Sequence, residues 1–431
     1  MSSTDSDLQT FSRPLRVENE TLYRLARCLS LTCRKLASCS SEQFFPTAIT
    51  RLPTGRETGH YLAVYLGLSY LRVAFIDLLR DRQVERHTYV RRTLEKAWPI
   101  EEHLRRDQAP ALFAWIGDCI AEVVADSLTT SREDASTELT AGISFCFPLK
   151  QESVDEAILM PTGKGFALTS ALNLQTLVST EWTLRGATAP LQELGVVTKW
   201  DTELDVNSKR PGFQPLEYMV GGRYIGELVR IICYDWFHGA LGILRPALPL
   251  KLVEEYSLTT EFLSLVVASS YSDEQLARDL SKQLPPPSSG NWSWTPESAG
   301  NIRAIASAVQ ARSAALVAAA TVGLLACTRE IELQNPECLE SSSPWDSDDA
   351  PQTTKQEHKL PDVVSSIPGW LNGPEELVVA VSGGVIQHYP NYKESTQRHI
   401  DHLLIRAGPQ DGGKSVFLRE ASDGGIVGVG V

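Results

Sequence analysis

The segment from residue 52 to residue 73, LPTGRETGHYLAVYLGLSYLRV, constrains the fold of this chain more than any other. Its apolar run Tyr61–Leu66 predicts a buried strand, and Gly67 follows at a tight turn. Ser69 and Arg72 open a second apolar stretch, which predicts another strand at Leu71–Leu78. Two strands joined by so short a connection favour an antiparallel hairpin.

The periodicity elsewhere predicts long helices around this hairpin. Apolar residues recur at helical spacing in Glu18–Ser40, in Ala109–Ser127 and in the alanine-rich segment Ala299–Ala326. Ala141–Phe147 predicts a further strand, which ends at a proline. Strand hairpins separated by long helices indicate an α/β fold.

Two segments have the composition of linkers. Gln283–Trp294 contains three consecutive prolines and cannot continue a helix. Glu337–Pro361 is polar and acidic, which predicts a solvated, disordered surface insertion. A regulatory or partner-binding role for this acidic insertion is the alternative.

Composition excludes several classes of partner. The net charge of −13 argues against nucleic acid and anionic membrane. The eight cysteines form no C-x-x-C pair, which argues against a zinc cage and favours reduced thiols. The polar amino terminus does not resemble a signal peptide. The apolar run Ala314–Cys327 is too short to span a bilayer and predicts a buried helix.

Several segments resemble the hexokinase family, in the same order along the chain. The hairpin resembles the phosphate-binding element LALDLGGTNLRV, and Asp201–Arg230 resembles a segment that contains NPG.Q.FEKMISGMYLGEIVR. Gly142–Phe166 resembles the family's sugar-binding segment, and Ala304–Ala320 resembles its alanine-rich helix. Val378–Lys393 resembles the VGVDGSVYEHYP segment, and Ser422–Gly430 resembles the terminal DGSGKGAAL segment. The chain is identified as a divergent member of this family, most similar to the fungal type.

This resemblance implies a two-lobed, actin-like ATPase (ribonuclease H-like) fold of the α/β class. Residues 1–60 would form an amino-terminal helix and loop that pack on the large lobe. Residues 61–180 would form the small lobe, and residues 181–431 the large lobe with the acidic insertion 337–361.

The resemblance also implies two groups of site residues. The first would bind sugar and comprises Thr162, Lys164, Glu181 and Glu217. The second corresponds to a degraded nucleotide site and comprises Gly67, Ser69, Arg72, Gly383, Gly384, Asp423 and Gly424. In the hairpin, Tyr65 replaces the family's acidic residue and Leu68 its second glycine, which removes a charge and adds bulk beside the phosphates. Ser382 likewise replaces an aspartate.

A block that the family carries has no counterpart here. Only Ala167–Ser179 separates Phe166 from Thr180, where relatives hold the catalytic aspartate and a second phosphate loop. The resemblance therefore implies no catalytic residue and no metal ligand, and it predicts a truncated large lobe. Either the large lobe closes with a smaller sheet, or the coding sequence lacks a segment.

Three functions follow as hypotheses. The first is a catalytically impaired protein that binds hexose, glucose above all, and acts in sugar sensing or regulation with a protein partner. The second is an active hexokinase that uses ATP and Mg²⁺, with Asp201, Asp205 or Glu181 as substitute base. The third is an interaction module that binds no sugar. The family resemblance suggests a cytoplasmic location, or a nuclear one in addition.

Overall fold

The structure of this chain is a computed structural model. It describes residues 3–39, 54, 56–79, 90–106, 109–130, 139–146, 149–151, 153, 157–159, 172–174, 187–288, 292–334, 376–410, 413–421 and 424–430.

A four-stranded mixed sheet contains the predicted hairpin. Strand β1 (Gly59–Leu66) pairs antiparallel with β2 (Tyr70–Leu78), and β2 pairs antiparallel with β3 (Val90–Pro99). Strand β4 (Ala141–Phe145) lies parallel to β1, so the strand order is β3-β2-β1-β4. The prediction of a strand–turn–strand unit around Gly67 is thus confirmed.

The remaining strands form two smaller sheets. Strands β5 (Leu149–Gln151), β6 (Ala157–Leu159) and β7 (Leu172–Leu174) make an antiparallel sheet. Strands β8 (Glu376–Val381) and β9 (Ser415–Glu420) make a parallel pair.

The helices surround these sheets and form most of the body after residue 187. In chain order they are α1 Ser3–Ser12, α2 Asn19–Cys39, α3 Glu102–Arg106, α4 Ala109–Thr130, α5 Thr188–Glu193, α6 Lys199–Val206, α7 Pro215–Val220, α8 Gly222–Tyr234, α9 Leu250–Val253, α10 Thr260–Phe262, α11 Asp273–Gln283, α12 Pro296–Cys327, α13 Gly384–His388, α14 Tyr392–Ala407 and α15 Gly424–Gly430. Short 3₁₀ turns occur at Arg13–Leu15 and Arg245–Ala247, and π-helical segments at Asp235–Ala240 and Leu263–Val267.

The first sheet is buried on both faces, because its apolar runs carry apolar side chains at successive positions. Leu62, Val64 and Leu66 of β1 pack in a cluster with residues of α3 and α4. On the opposite face, Ala63 and Ala74 pack with Ile426 of α15. The carboxyl end of the chain therefore returns to the first sheet. The sequence analysis assigned α15 to the predicted large lobe, residues 181–431. The predicted boundary between the lobes, at residues 180 and 181, falls in 175–186, which lie outside the described residues. The limits of the two lobes therefore remain predictions.

Helix α12 is the longest helix described and contains the predicted alanine-rich segment. Thr295 and Ser298 form a capping box at its start, where Pro296 occupies the first turn. Helices α2, α8, α11 and α14 pack against it. At Gly323 an added Cβ would lie 2.7 Å from the Ala26 carbonyl oxygen, so the small residue lets α2 approach closely.

By length and composition alone, this 32-residue helix could cross a membrane. The predicted apolar run Ala314–Cys327 forms the carboxyl-terminal part of this helix, which begins well before Ala314. In the structure, 61% of its most apolar 18-residue window is buried against the rest of the chain, as expected for a core helix.

The predicted linkers differ in outcome. Helix α11 ends at Gln283, and residues 284–288 have no helical or strand structure, as the prolines predict. Trp294 is nevertheless buried, and its indole Nε1 donates a 2.8 Å hydrogen bond to the Leu284 carbonyl oxygen. This segment is thus held against the core and is no free linker. The acidic insertion 337–361 lies outside the described residues.

Replacing Gly226 by alanine should destabilise the chain. Its Cβ would lie 2.3 Å from the Leu258 carbonyl oxygen and 2.7 Å from the Thr260 amide nitrogen, both backbone atoms that cannot rotate away. We expect a loss of at least about 2 kcal/mol in the free energy of unfolding, measured in urea. Gly117→Ala is the control: this exposed helical glycine has no atom within 4 Å of an added Cβ, so the change should stabilise by about 1 kcal/mol. Equal effects of the two substitutions would contradict this packing.

Candidate functional site

A buried arginine lies beside the hairpin turn, within electrostatic reach of Arg223 at the amino-terminal end of α8. Arg105 of α3 is 9% exposed, and its Nη2 donates a hydrogen bond to the Leu68 carbonyl oxygen in the turn. Burial, and then the neighbouring positive charge of Arg223 on α8, lower the pKa of Arg105. This junction between the first sheet and the helical body is the candidate site.

Hydrogen bonds within the protein already occupy backbone groups of the turn. The Gly67 amide donates to the Tyr70 carbonyl oxygen at 2.9 Å, and the Ile100 amide donates to the Ser69 carbonyl oxygen at 2.8 Å. A Cβ added to Gly67 would lie 3.3 Å from the Tyr65 ring, so the tyrosine fills space beside this glycine. The described turn thus presents the bulk of Tyr65 and an occupied Gly67 amide where the resemblance expects phosphate.

Arg72, predicted at the nucleotide site, is held within the first sheet. Its Nε donates to Glu95 Oε1 at 2.7 Å, and its Nη2 contacts the same oxygen. Glu95 also accepts a 2.8 Å hydrogen bond from Arg92. These contacts tie β2 to β3 and do not support the predicted nucleotide role of Arg72.

Two of the predicted nucleotide segments come together in the structure. The Ala421 amide after β9 donates to the Val381 carbonyl oxygen at the end of β8, at 2.9 Å. A Cβ on Gly424 would lie 3.8 Å from the Ser382 Cβ, so the start of α15 adjoins the β8–α13 turn. Gly383 in that turn has φ 130°, a conformation that favours glycine.

Gly384 follows as the first residue of α13. Of the predicted nucleotide group, Asp423 lies outside the described residues.

Glu217 lies in the first turn of α7 and is half-buried. The Gly221 amide donates to the Glu217 carbonyl oxygen at 2.7 Å, which ends α7 where α8 begins. A Cβ on Gly221 would lie 3.1 Å from the Glu217 Cγ, so this glycine leaves room for the glutamate side chain. A Cβ on the next residue, Gly222, would lie 3.0 Å from Val385 of α13. The structure thus brings the predicted sugar residue Glu217 close to the segment that contains Gly384.

Two buried tyrosines flank this glutamate. Burial raises the pKa of Tyr218 to about 12, and Glu217 contributes in the same direction. Burial also raises the pKa of Tyr224. The Tyr218 hydroxyl donates a 2.9 Å hydrogen bond to the Arg210 carbonyl oxygen, so its role here is structural. The other predicted sugar residues, Thr162, Lys164 and Glu181, lie outside the described residues.

The structure gives Asp201 a structural role. Asp201 is 4% exposed, and its Oδ2 accepts 2.7 Å hydrogen bonds from the amide and the hydroxyl of Thr198, which caps α6. Its Oδ1 accepts from Arg312 of α12. A carboxylate bound on both oxygens inside the core cannot collect a substrate proton, so the expectation that Asp201 could replace the missing base was wrong.

Asp205 is half-buried and accepts a hydrogen bond within the fold. Its Oδ1 accepts a 2.8 Å hydrogen bond from the Gly212 amide and so holds the turn between α6 and α7. The third candidate base, Glu181, is outside the part of the chain that the structure describes. Within that part, no cluster of three His, Cys, Asp or Glu side chains is arranged to hold a metal ion.

Sequence reasoning missed Arg105 and Arg223. Arg105 occurs in a polar stretch that resembles a solvated helix surface, Arg223 opens an apolar helix, and no spacing in the sequence relates the two. Their importance follows from the contact between the hairpin and the helical body, which only the tertiary fold creates.

Comparisons with known proteins agree with this architecture. A solved hexokinase from Schistosoma mansoni, in complex with glucose, superposes with a TM-score of 0.73 at 18% identity, covering 100% of this chain and 98% of that one. A second solved structure, of a hexokinase, gives a TM-score of 0.61 at 19% identity. The fold is therefore the two-lobed, actin-like α/β fold that the resemblance implied.

Family models reach the same result from the sequence. One model described as Hexokinase matches residues 142–431, and another of the same description matches residues 7–186. The chain belongs to the hexokinase family.

Curated relatives are distant from this chain. Hexokinase of Kluyveromyces lactis is 23% identical over 310 residues, which cover 55% of this chain and 62% of that protein. Hexokinase-2 of Solanum tuberosum is 22% identical over 448 residues, covering 88% and 80% of the two chains. The chain spans only 31% of the human hexokinase HKDC1 that it also matches.

Substitution of Arg312 should show that Asp201 serves the fold. Arg312→Met leaves a buried carboxylate without its cationic partner, and we expect a loss of about 3–5 kcal/mol in unfolding free energy. The control is Arg419→Met, which breaks the exposed pair with Glu376, where the two side chains are 64% and 53% exposed. That change should cost about 1 kcal/mol or less in the same urea titration. A small effect of Arg312→Met would instead leave Asp201 available for chemistry.

Substitution of Arg105 should loosen the turn. Arg105→Met removes the donor to the Leu68 carbonyl oxygen, and we expect amide exchange in residues 67–70 to accelerate by about tenfold, since a bond to a charged group contributes roughly 1.5 kcal/mol or more. Hydrogen-exchange mass spectrometry would measure this rate. Arg92→Met, on the neighbouring strand β3, should leave exchange in the turn unchanged. Unchanged exchange in both variants would contradict the bridging role of Arg105.

Proposed function

We propose that this chain is a hexose-binding member of the hexokinase family with little or no phosphotransferase activity, which acts in sugar sensing or regulation. Glucose is the expected sugar. Three observations support the proposal: the family fold, a half-buried glutamate at the position where the resemblance expects a sugar contact, and a hairpin turn that carries Tyr65 and Leu68 and whose Gly67 amide is occupied.

Glu217 supports the hexose part of this proposal. A half-buried carboxylate at the junction of α7 and α8 can accept hydrogen bonds from two adjacent hydroxyl groups of a sugar. Gly221 provides the room for this side chain, and Val385 packs beside the next glycine. The S. mansoni hexokinase of similar fold was solved with glucose, which makes glucose the first sugar to test.

The hydrogen bonding of the hairpin turn is the single observation that carries the impaired-catalysis part. ATP with Mg²⁺ requires free backbone amides and compensating charge around its phosphates. Here the Gly67 amide donates to the Tyr70 carbonyl oxygen, the Tyr65 ring fills space beside Gly67, and the Arg72 guanidinium is bound by Glu95. The described residues of the turn thus fit a nucleotide poorly.

The state of the candidate bases supports the same conclusion. Phosphoryl transfer to a hydroxyl needs a group that accepts its proton, and such a group contributes about 10²- to 10⁴-fold in rate. Asp201 and Asp205 are both engaged in structural hydrogen bonds. A regulatory role would then depend on closure of the two lobes around sugar, which alters the surface offered to a partner protein in the cytoplasm or nucleus.

An active hexokinase that uses ATP and Mg²⁺ is the second candidate. The observation in its favour is the assembly of two nucleotide-type segments, since Ser382 of the β8–α13 turn adjoins Gly424 of α15. In this case the γ-phosphoryl group of ATP would pass to the 6-hydroxyl of a hexose, or to another small hydroxylated substrate.

Calorimetric titration of the full chain with glucose, and then with ATP and Mg²⁺, tests the proposal. We expect glucose to bind, and Glu217→Gln to weaken this binding at least about tenfold through loss of a charged acceptor. Glu297→Gln is the matched control, because Glu297 also lies in the first turn of a helix but is exposed. It should leave glucose affinity unchanged.

The other outcomes separate the hypotheses. Rapid ATP-dependent phosphorylation of glucose would overturn impaired catalysis and establish the second candidate. Absence of glucose binding to the folded chain would overturn the hexose proposal and favour the interaction module.

A further inference from the structure

Arg223 is a charged side chain at the candidate site that the binding of a neutral hexose leaves without a role. It is the second residue of α8 and is partly exposed, so it keeps contact with solvent. The hexokinase-family segment ISGMYLGEIVR has methionine where this chain has Arg223. The exchange replaces an uncharged side chain by one that is always cationic.

The guanidinium of Arg223 lies against an aromatic ring and has no counter-ion among the described residues. Its Cζ lies over the ring of Tyr256, 4.8 Å from the ring centroid, and no carboxylate or carbonyl in the described part of the chain accepts a hydrogen bond from it. A cation–π contact uses the flat face of the guanidinium, so the N–H edge stays available in the plane of the group. This edge can donate two parallel hydrogen bonds to one oxyanion.

A buried network holds the Tyr256 ring in place beneath this guanidinium. Tyr256 has φ 55°, in the left-handed region that residues other than glycine rarely adopt. Its amide donates a 2.6 Å hydrogen bond to Glu227 Oε2. Glu227 is 3% exposed and also accepts 2.8 Å and 2.7 Å hydrogen bonds from Arg230. The core therefore fixes the ring that supports Arg223, as expected of a binding residue rather than of a free surface charge.

Arg223 lies near the glutamate that is expected to contact hexose. The Gly221 amide, two residues before Arg223, donates to the Glu217 carbonyl oxygen at 2.7 Å. Burial raises the pKa of Tyr224, Glu217 raises it further, and Arg223 lowers it. The rings of Tyr224 and Tyr256 are in edge contact, with their centroids 6.5 Å apart. Glu217 and Arg223 are thus neighbours of the same buried tyrosine.

The charges around Arg223 favour a ligand with a single negative charge. Arg105, beside the hairpin turn, carries a like charge within electrostatic reach, and an anion would reduce the repulsion between the two guanidinium groups. The carboxylate of Glu217 opposes a dianion, such as a phosphate ester, more strongly than a monoanion. A carboxylate, with one charge and two oxygens in a plane, matches the donor edge of Arg223.

We propose that the hexose site of this chain takes a sugar acid, a hexose-sized molecule whose carboxylate pairs with Arg223 while its hydroxyl groups bind Glu217. The inference rests on the proposed function, because it uses Glu217 as the hexose contact, and it names the substrate class of that site. Arg223 determines specificity, and Tyr256 positions it. Glucuronate differs from glucose only by a carboxylate in place of one CH₂OH group, so it keeps the ring hydroxyl groups for Glu217.

Calorimetric titration of the full chain with glucuronate, glucuronamide and glucose at neutral pH tests this inference. Glucuronamide has nearly the same shape as glucuronate but no charge. We expect glucuronate to bind at least about tenfold more tightly than glucuronamide, through charge-assisted hydrogen bonds. Arg223→Met, which restores the residue of the family segment, should abolish this preference and change glucuronamide affinity by less than about threefold.

The matched control is Arg406→Met. Arg406 also lies over a tyrosine ring, that of Tyr23, at 5.5 Å from the centroid, but on α14. Its substitution should leave the preference for glucuronate unchanged. Tyr256→Leu removes the ring beneath Arg223 and should reduce the preference about threefold without abolishing it. Urea titration shows whether each variant is folded, and Arg223→Gln is a second neutral variant of similar length.

The outcomes separate this inference from the proposed function. Binding of glucose with no preference for glucuronate over glucuronamide would overturn the inference and keep the hexose proposal. Tight binding of glucuronate without binding of glucose would support the inference and overturn glucose as the ligand. A preference that persists in folded Arg223→Met would overturn the inference, and tighter binding of glucose 6-phosphate than of glucuronate would do the same. Binding of none of these sugars would overturn both proposals.

Discussion

The packing of α12 is the constraint on which the rest of the structure depends. Helices α2, α8, α11 and α14 all contact it, and its alanines and Gly323 allow these neighbours to approach closely. Small residues lose little side-chain entropy on burial, so a long alanine-rich helix can serve as a core element for several partners. Arg312 brings one charge into this interior, and Asp201 neutralises it. This ion pair fixes the start of Asp201–Arg230, a segment that resembles the hexokinase family, to α12.

A second junction connects this helical body to the first sheet. Ile426 of α15 packs against Ala63 and Ala74, while Arg105 donates to the hairpin turn and lies near Arg223 of α8. Burial and the positive charge of Arg223 both lower the pKa of Arg105 at this junction. A ligand can change the relative position of the first sheet and the helical body only if it binds one of their relative positions more tightly than the other.

Local patterns predicted the elements well and their polar contacts poorly. The hairpin, α2, α4 and α12 appear where apolar periodicity placed them, with ends displaced by a few residues at most. Asp201 shows where such reasoning fails, because its partner Arg312 is 111 residues away and both lie in ordinary helical patterns. Trp294 shows the same, since a proline-rich segment gives no sign that its indole is bonded within the core. The Leu68 carbonyl and Arg105 are likewise distant in sequence.

The sequence by itself determined the family, the α/β class and the replacement of phosphate-binding groups by Tyr65 and Leu68. These follow from residue types and short-range periodicity, which act within a few positions of the chain. Only the tertiary structure decided the surroundings of the carboxylates, since Asp201 is bound on both oxygens in the core while Glu217 lies half-buried at the junction of α7 and α8. The hydrogen-bond and ion-pair partners of polar side chains come from segments that are distant in sequence. The free energy of these contacts depends on how deeply they are buried in the fold, and local sequence patterns do not record that burial.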